Sequence, residues 1–392
     1  MKKSLVFVLV LLVVLILAAC GGSAEPDTPD DYDYWHGVYW DSDQNNEEES
    51  QELLFENVVI SQAPNAIAAG ANNSFALTED GNLWGWGFHG YFSSRDSWSD
   101  IPVHLMDNIA SISIGFTHNL VVDNNGVLLG WGDNFHSQLA DAAPTGNIFM
   151  PVRLMEDVIA AAAGHRHTLA LTSAGVLWGW GDNSNNAINL DGTAIIETPI
   201  QIMNGVVAIA AERETSMAIT ADGALWRWGT GPGLDRGITH IMDDVIYIYT
   251  RSVGAPSYIV MSDVIASYAI TSDGNLYGWG AYNNYDAPRQ DIPIRLMTDV
   301  IAVSGTGPNT MAITSDGTLW GWGTNINGQL GNGTTTQRLD PQRIMNDVIS
   351  ISVGAHNTMA LTADGGLWIW GSHNVDVRGD GIKRGLYPVR IN

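Results

Sequence analysis

The stretch Thr314-Ser-Asp-Gly-Thr-Leu-Trp-Gly-Trp-Gly323 occurs in six further versions along the chain. They end at Gly87, Gly132, Gly181, Gly229, Gly280 and Gly371, so the closing glycines fall 43 to 51 residues apart. A repeat of that length, built from short alternating segments, points to propeller blades or solenoid units. In the last unit before Gly323, Pro293–Met297, Asp299–Val303, Asn309–Thr314 and Thr318–Trp322 are each rich in β-branched or aromatic residues and bounded by turn residues. Four short strands per unit is the blade pattern. The sequence therefore predicts an all-β protein, a seven-bladed β-propeller of four-stranded antiparallel blades.

Asp-Gly pairs such as Asp222-Gly223 and Asp316-Gly317 separate the third and fourth segments. Tight hairpins need a positive φ, which glycine bears without strain. One aspartate per hairpin cannot supply the six to eight converging oxygens that calcium needs, so these are turn residues. Asp243-Asp244 is read the same way. In the fourth segment Trp320 and Trp322 share one face while Leu319 and Gly321 share the other, which lets adjacent blades nest. Twelve of the fifteen tryptophans lie in such segments. Each buries about 200 Å², gross worth roughly 5 kcal/mol before entropy is subtracted, so they are core and not a stacking row for sugars or bases.

Copies of Pro293–Met297 precede most units, but none convincingly precedes the first, Ile67–Gly87. The chain ends on an orphan copy, Tyr387-Pro-Val-Arg-Ile-Asn392. The expectation is that this C-terminal strand completes the first blade and closes the ring.

The chain has 392 residues, 42 of them acidic and 17 basic, for a net charge of −25. Such a surface repels nucleic acid and anionic lipid. Cys20 is the only cysteine, so no intrachain disulfide forms. Met1-Lys2-Lys3 and the apolar run Ser4–Leu17 have the shape of a secretory signal, too short for a comfortable membrane span. Leu17-Ala-Ala-Cys20-Gly resembles the lipobox of bacterial lipoproteins, which implies cleavage before Cys20 and a diacylglyceryl group on its sulfur. Two or more acyl chains make a lasting tether.

Three segments are expected: a signal peptide at 1–19, an acidic disordered tether at 20–56, and the propeller at 57–392. The tether holds no lysine or arginine and cannot bury enough apolar surface to offset its ordering entropy. Its crowded aromatics, Tyr32, Tyr34, Trp35, Tyr39 and Trp40, leave open a docking role.

The unit Asp316-Gly…Trp322-Gly-Thr-Asn325-Ile-Asn-Gly328-Gln-Leu-Gly331 resembles the repeat of the regulator of chromosome condensation family, and Gly115-Phe-Thr-His118 and Gly164-His-Arg-His167 match its G-x-x-H step. The resemblance covers about residues 57–392 and implies a seven-bladed propeller. Only one unit keeps GQLG, Asn73 and Asn357 replace the histidine, and the fifth unit carries an insertion at Arg251–Val260. The eukaryotic founder resembles a nucleotide-exchange factor for a nuclear GTPase and binds chromatin. The export signal and the acidity speak against both roles here, since fold is not function. In its setting the chain is more similar to the secreted bacterial propeller that inhibits β-lactamases.

No P-loop, HExxH or GxSxG motif occurs, and no cofactor or metal site is expected. His118 and His167 are read as core hydrogen-bonders. His165 with His167 lacks the third ligand that a metal requires. A repeat protein places its specificity in its unrepeated loops. The loops after each Trp-Gly carry Phe88, His89, Tyr91, Phe92 and Trp98 in the first unit, Phe135 and His136 in the second, and Tyr282 and Tyr285 in the fifth. Interfaces favour such aromatics. The expectation is a monomeric, non-enzymatic lipoprotein of the bacterial cell envelope, held at the membrane through Cys20, whose loops bind a protein or surface ligand and no nucleic acid. An inhibitor of an envelope enzyme, a hydrolase or lyase with a central-channel site, and a passive envelope component remain alternatives.

Overall fold

The computed structural model describes residues 67–69, 73–88, 98–189, 191–230, 237–252, 265–280, 290–306, 309–354, 357–372 and 384–390. Seven four-stranded antiparallel sheets make up this part of the chain, beside a single 3₁₀ turn at Ala140–Ala142. Each sheet is one blade built from consecutive strands. In the sixth blade these are Val300–Thr306, Asn309–Thr314, Leu319–Gly323 and Arg338–Met345. First strands of neighbouring blades touch one another all the way round, so they line the axis and the fourth strands lie outermost.

The phase of the repeat differs from the sequence expectation. Gln290–Met297, which contains Pro293–Met297, is the outer strand of the fifth blade and pairs with Leu276–Gly280. A two-residue link then leads directly to the inner strand of the next blade. Its second residue is left-handed in six blades: Asn108, Asp157, Gly205, Asp244, Asp299 and Asp347 have φ between 59° and 70°. Asparagine, aspartate and glycine tolerate that conformation best, which accounts for Asp243-Asp244.

The C-terminal strand Arg384–Arg390 is accordingly the outer strand of the seventh blade, paired with Leu367–Ser372. The first blade has its own outer strand, Trp98–Met106. The ring closes by side-chain packing instead. Ile67, Ala76 and Trp86 of the first blade bury against Met359, Leu361, Leu367 and Ile369 of the seventh.

Among the described residues one such apolar cluster sits at every blade junction. The alternation of the third strand explains it. Trp320 and Trp322 face the fifth blade, while Leu319 faces the seventh. Gly321 does not open space for the next blade as expected. A Cβ there would meet Met311 Sδ at 2.7 Å and Ile344 at 3.4 Å, so its gap is filled from its own blade. The closing glycine is needed for a different reason. Gly181 has φ +106°, and a Cβ would lie 2.5 Å from the Arg166 carbonyl oxygen.

The hairpins bear out the turn reading. Gly317, at φ +78°, donates its N–H to the Thr314 carbonyl at 2.8 Å, and Thr314 Oγ1 donates to Asp316 Oδ1 at 2.7 Å. That hydroxyl, and then the Thr318 N–H, hold the exposed Asp316 carboxyl below its ordinary pKa. The carboxylate is spent on its own turn.

Candidate functional site

Antiparallel order fixes which loops share an end. The turns between first and second strands lie beside the loops between third and outer strands, as the bond from Asp133 N–H to the Thr117 carbonyl (2.9 Å) shows. The Asp-Gly hairpins and the inter-blade links share the opposite end, where Val158 N–H donates to the Gly126 carbonyl (2.9 Å).

At the loop end, three successive turns are stitched together. Phe116 N–H donates to the Gly164 carbonyl (3.5 Å), and His165 N–H donates to the Arg213 carbonyl (3.0 Å). Thr117 Oγ1 donates to the His165 carbonyl at 2.9 Å. These bonds align a side-chain row across the second, third and fourth blades. Phe116 meets the His165 ring edge-on with centroids 4.4 Å apart, and His165 Nδ1 lies 3.6 Å from Glu214 Oε1. Burial raises the Glu214 pKa, but the nearby His165 imidazole and the charge of Arg213 outweigh it and leave the carboxyl below its ordinary value. The row offers an apolar edge, an imidazole and a carboxylate to a partner.

Beneath it, His118 and His167 are buried as expected. His118 Nε2 is 2.9 Å from Thr168 Oγ1, and His167 Nε2 is 2.9 Å from Ser216 Oγ. Thr168 and Ser216 donate their own hydroxyl protons to the Gln138 and Ala187 carbonyls, so each histidine donates from Nε2. Burial pushes His118 down to about 3, with His167 and His165 opposing its charge further, and pushes His167 down to about 4. Both pKa values lie below the unfolded value of 6.5, so the unfolded chain binds protons that the fold refuses. Stability is therefore lost as pH falls from 6.5 toward 4, by about 1.4 kcal/mol per pH unit for each histidine. Asn73, Asn309 and Asn357 occupy the same register position, opposite the closing glycine of their blades. The double variant His118→Asn/His167→Asn should flatten the acid limb of the melting temperature against pH. An unchanged limb would place the acid sensitivity elsewhere.

Of the residues singled out in the sequence, Phe135 is 57% exposed at this end. His136 beside it is half-buried, and its N–H donates to Gln138 Oε1 at 2.8 Å. The register sets Phe88 opposite Trp98 across the third and outer strands of the first blade. Cys20, His89, Tyr91, Phe92, Tyr282 and Tyr285 lie outside the described residues. Among the described residues no group of three His, Cys, Asp or Glu side chains is placed to hold a metal ion.

The sequence reading missed the row of Phe116, His165 and Glu214. Its signal was the varying residues inside the first-to-second turns of three successive repeats. The GQLG loop is also more widespread than its letters. Asn325 Oδ1 accepts from Leu330 N–H (2.9 Å), and Asn134 and Asn183 do the same for Leu139 (2.8 Å) and Ile188 (2.9 Å). Ser137 and Asn186 adopt the positive φ of Gly328.

The models of the regulator of chromosome condensation (RCC1) repeat match residues 65–92, 109–138, 158–187, 316–361 and 348–376. The chain carries RCC1 repeats. The RCC1-type fold is shared with human WBSCR16 at 20% identity and TM-score 0.64, over 79% of this chain and 93% of that one. It is shared equally with Prp20p of Saccharomyces cerevisiae at 17% identity and TM-score 0.65, over 86% and 87%. Among curated proteins, the human E3 ubiquitin-protein ligase HERC2 is 34% identical over 89 residues, 21% of this RCC1-repeat chain and 2% of HERC2 itself.

Proposed function

We propose that the RCC1-repeat propeller is a protein-binding scaffold of a lipid-anchored, extracytoplasmic lipoprotein, and that its loop end is the binding face. The carrying observation is the juxtaposition on that end of exposed Phe135 and the row Phe116, His165 and Glu214. Aromatic anchors beside polar groups are what interface centres use. Protein binding has precedent in the fold, since yeast Prp20 is known in a complex with Kap60. The anchoring part rests on the signal-like run 1–19, Cys20 and the acidic stretch 20–56. The net charge of −25 favours a protein over nucleic acid.

The test is quantitative affinity capture from envelope and secreted fractions, comparing the wild-type chain with Phe116→Ala/Phe135→Ala and with Tyr91→Ala/Phe92→Ala/Trp98→Ala. A partner retained by the wild type should be reduced about tenfold or more by a loop-end variant. A partner set identical in all three proteins would overturn the assignment of this face.

A further inference from the structure

The end opposite the loops carries its own repeated feature. In six blades the register of the inner strand slips by one residue just after the link, leaving a bulged residue. The bulged residues are Ala110, Ile159, Val207, Ile246, Ile301 and Ile349. The preceding residue is pinned by its N–H to the carbonyl of the previous blade's hairpin glycine, for example Val300 to Gly274 at 2.9 Å. The bulge then turns the next side chain out of the sheet. Because inner strands line the axis, these side chains form a ring at the mouth of the central opening. Ile159 is 52% exposed, Ile301 50% and Ile349 36%.

Ala110, Ile159, Ile301 and Ile349 are exposed, while Val207 and Ile246 are half-buried against the junction clusters, and an exposed bulged position makes no packing demand. Strand propensity alone would admit threonine as readily as isoleucine, yet all four exposed residues are aliphatic. Acidic side chains dominate the rim of the ring, and Arg153 and Arg390, which reach this end from outer strands, are paired with Glu156 and Asp364. Asp157, Asp244, Asp299 and Asp347 are exposed two residues before their bulges, and no link or Asp-Gly hairpin at this end holds a lysine or arginine. An apolar centre inside a charged rim is the make-up of an interaction surface.

We infer that this end is a second docking surface, and that its occupant is a basic protein segment whose apolar side chains sit on the aliphatic ring while lysines or arginines meet the rim. Charge selects this occupant. A second copy of the chain would bring the same carboxylates face to face, anionic lipid is repelled, and the chain's own stretch 20–56 is acidic and lacks lysine and arginine. The surface is separate from the loop end and stands independently of it.

The test uses the full chain and a fluorescent amphipathic peptide of leucine and lysine, with a serine–lysine peptide of equal charge as control. The leucine–lysine peptide should bind at least about tenfold more tightly than the control, and Ile159→Thr/Ile301→Thr/Ile349→Thr should remove that advantage at unchanged melting temperature. Asp157→Asn/Asp299→Asn/Asp347→Asn should weaken binding and reduce its dependence on salt. Asn108 shows that asparagine fits this left-handed place, so this variant decides the matter even where the threonine variant fails to fold. Phe116→Ala/Phe135→Ala should bind the peptide as the wild type does. Equal binding of the two peptides, or binding untouched by both ring and rim variants, would overturn the proposal. So would a dimer of the chain that the ring variant dissolves.

Discussion

Trp180→Ala is expected to destabilise the propeller by about 4 kcal/mol, while Trp178→Ala, two residues earlier on the same strand face, is expected to cost no more than about 2 kcal/mol. The two indoles look alike in sequence and differ in what surrounds them. Trp180 is fully buried at the junction of the second and third blades, against Leu120, Val122 and Ile188. Its Nε1–H donates to the Gln138 carbonyl at 2.9 Å. That carbonyl also accepts from Thr168, so truncation does not orphan it. The cost is the lost burial plus the cavity left between two sheets that are each held rigid by their own ladders. Trp178 is half-buried against the same cluster and keeps part of its ring in water. Denaturant unfolding of the two variants, followed by far-ultraviolet circular dichroism, makes the comparison. Equal losses would mean that junction packing does not hold the ring.

How far the sequence could be read depends on where each signal lives. The Asp-Gly hairpins and the Trp-Gly strand are local chemistry. Gly317 at positive φ and the shared face of Trp320 and Trp322 were therefore legible from a few adjacent letters. The phase of the blade was not. A tandem repeat reads the same wherever the unit is cut, and Pro293–Met297 looks equally like the start of one unit and the end of another. The pairing of Gln290–Met297 with Leu276–Gly280 decides it, and that pairing is carried neither by the letters of the segment nor by the left-handed Asp299 after it. The row of Phe116, His165 and Glu214 was hidden for another reason. Its members are about one repeat apart in the chain and meet only because adjacent blades place equivalent turns side by side. The GQLG loop was undercounted because Ser137 and Asn186 take up a backbone conformation that the motif assigns to glycine.

Deleting 384–392 distinguishes two ways of closing the ring. If the C-terminal strand paired with the first blade, its loss would open the propeller at one junction and unfolding would spread from there. The observed pairing gives a different outcome. Arg384–Arg390 covers the outer edge of the seventh blade. It also docks on the loop of the sixth, where Gly333 N–H donates to the Leu386 carbonyl at 2.8 Å. Half-buried Leu386 lies against Gly328 of the same loop. Truncation should therefore unprotect Leu367–Ser372 and the loop at 325–334 in hydrogen exchange, by several kcal/mol of local opening free energy, about the worth of one strand's pairing and one half-buried leucine. The junction of the first and seventh blades should stay protected, because Trp86, Met359 and Leu361 pack there without the missing strand. Loss of protection first at Ile67–Ala69 and Asn73–Leu77 would instead show that the terminus, and not side-chain packing, closes the ring. The newly bared edge of the seventh blade is also a pairing template, so the truncated chain should self-associate at concentrations where the full chain does not.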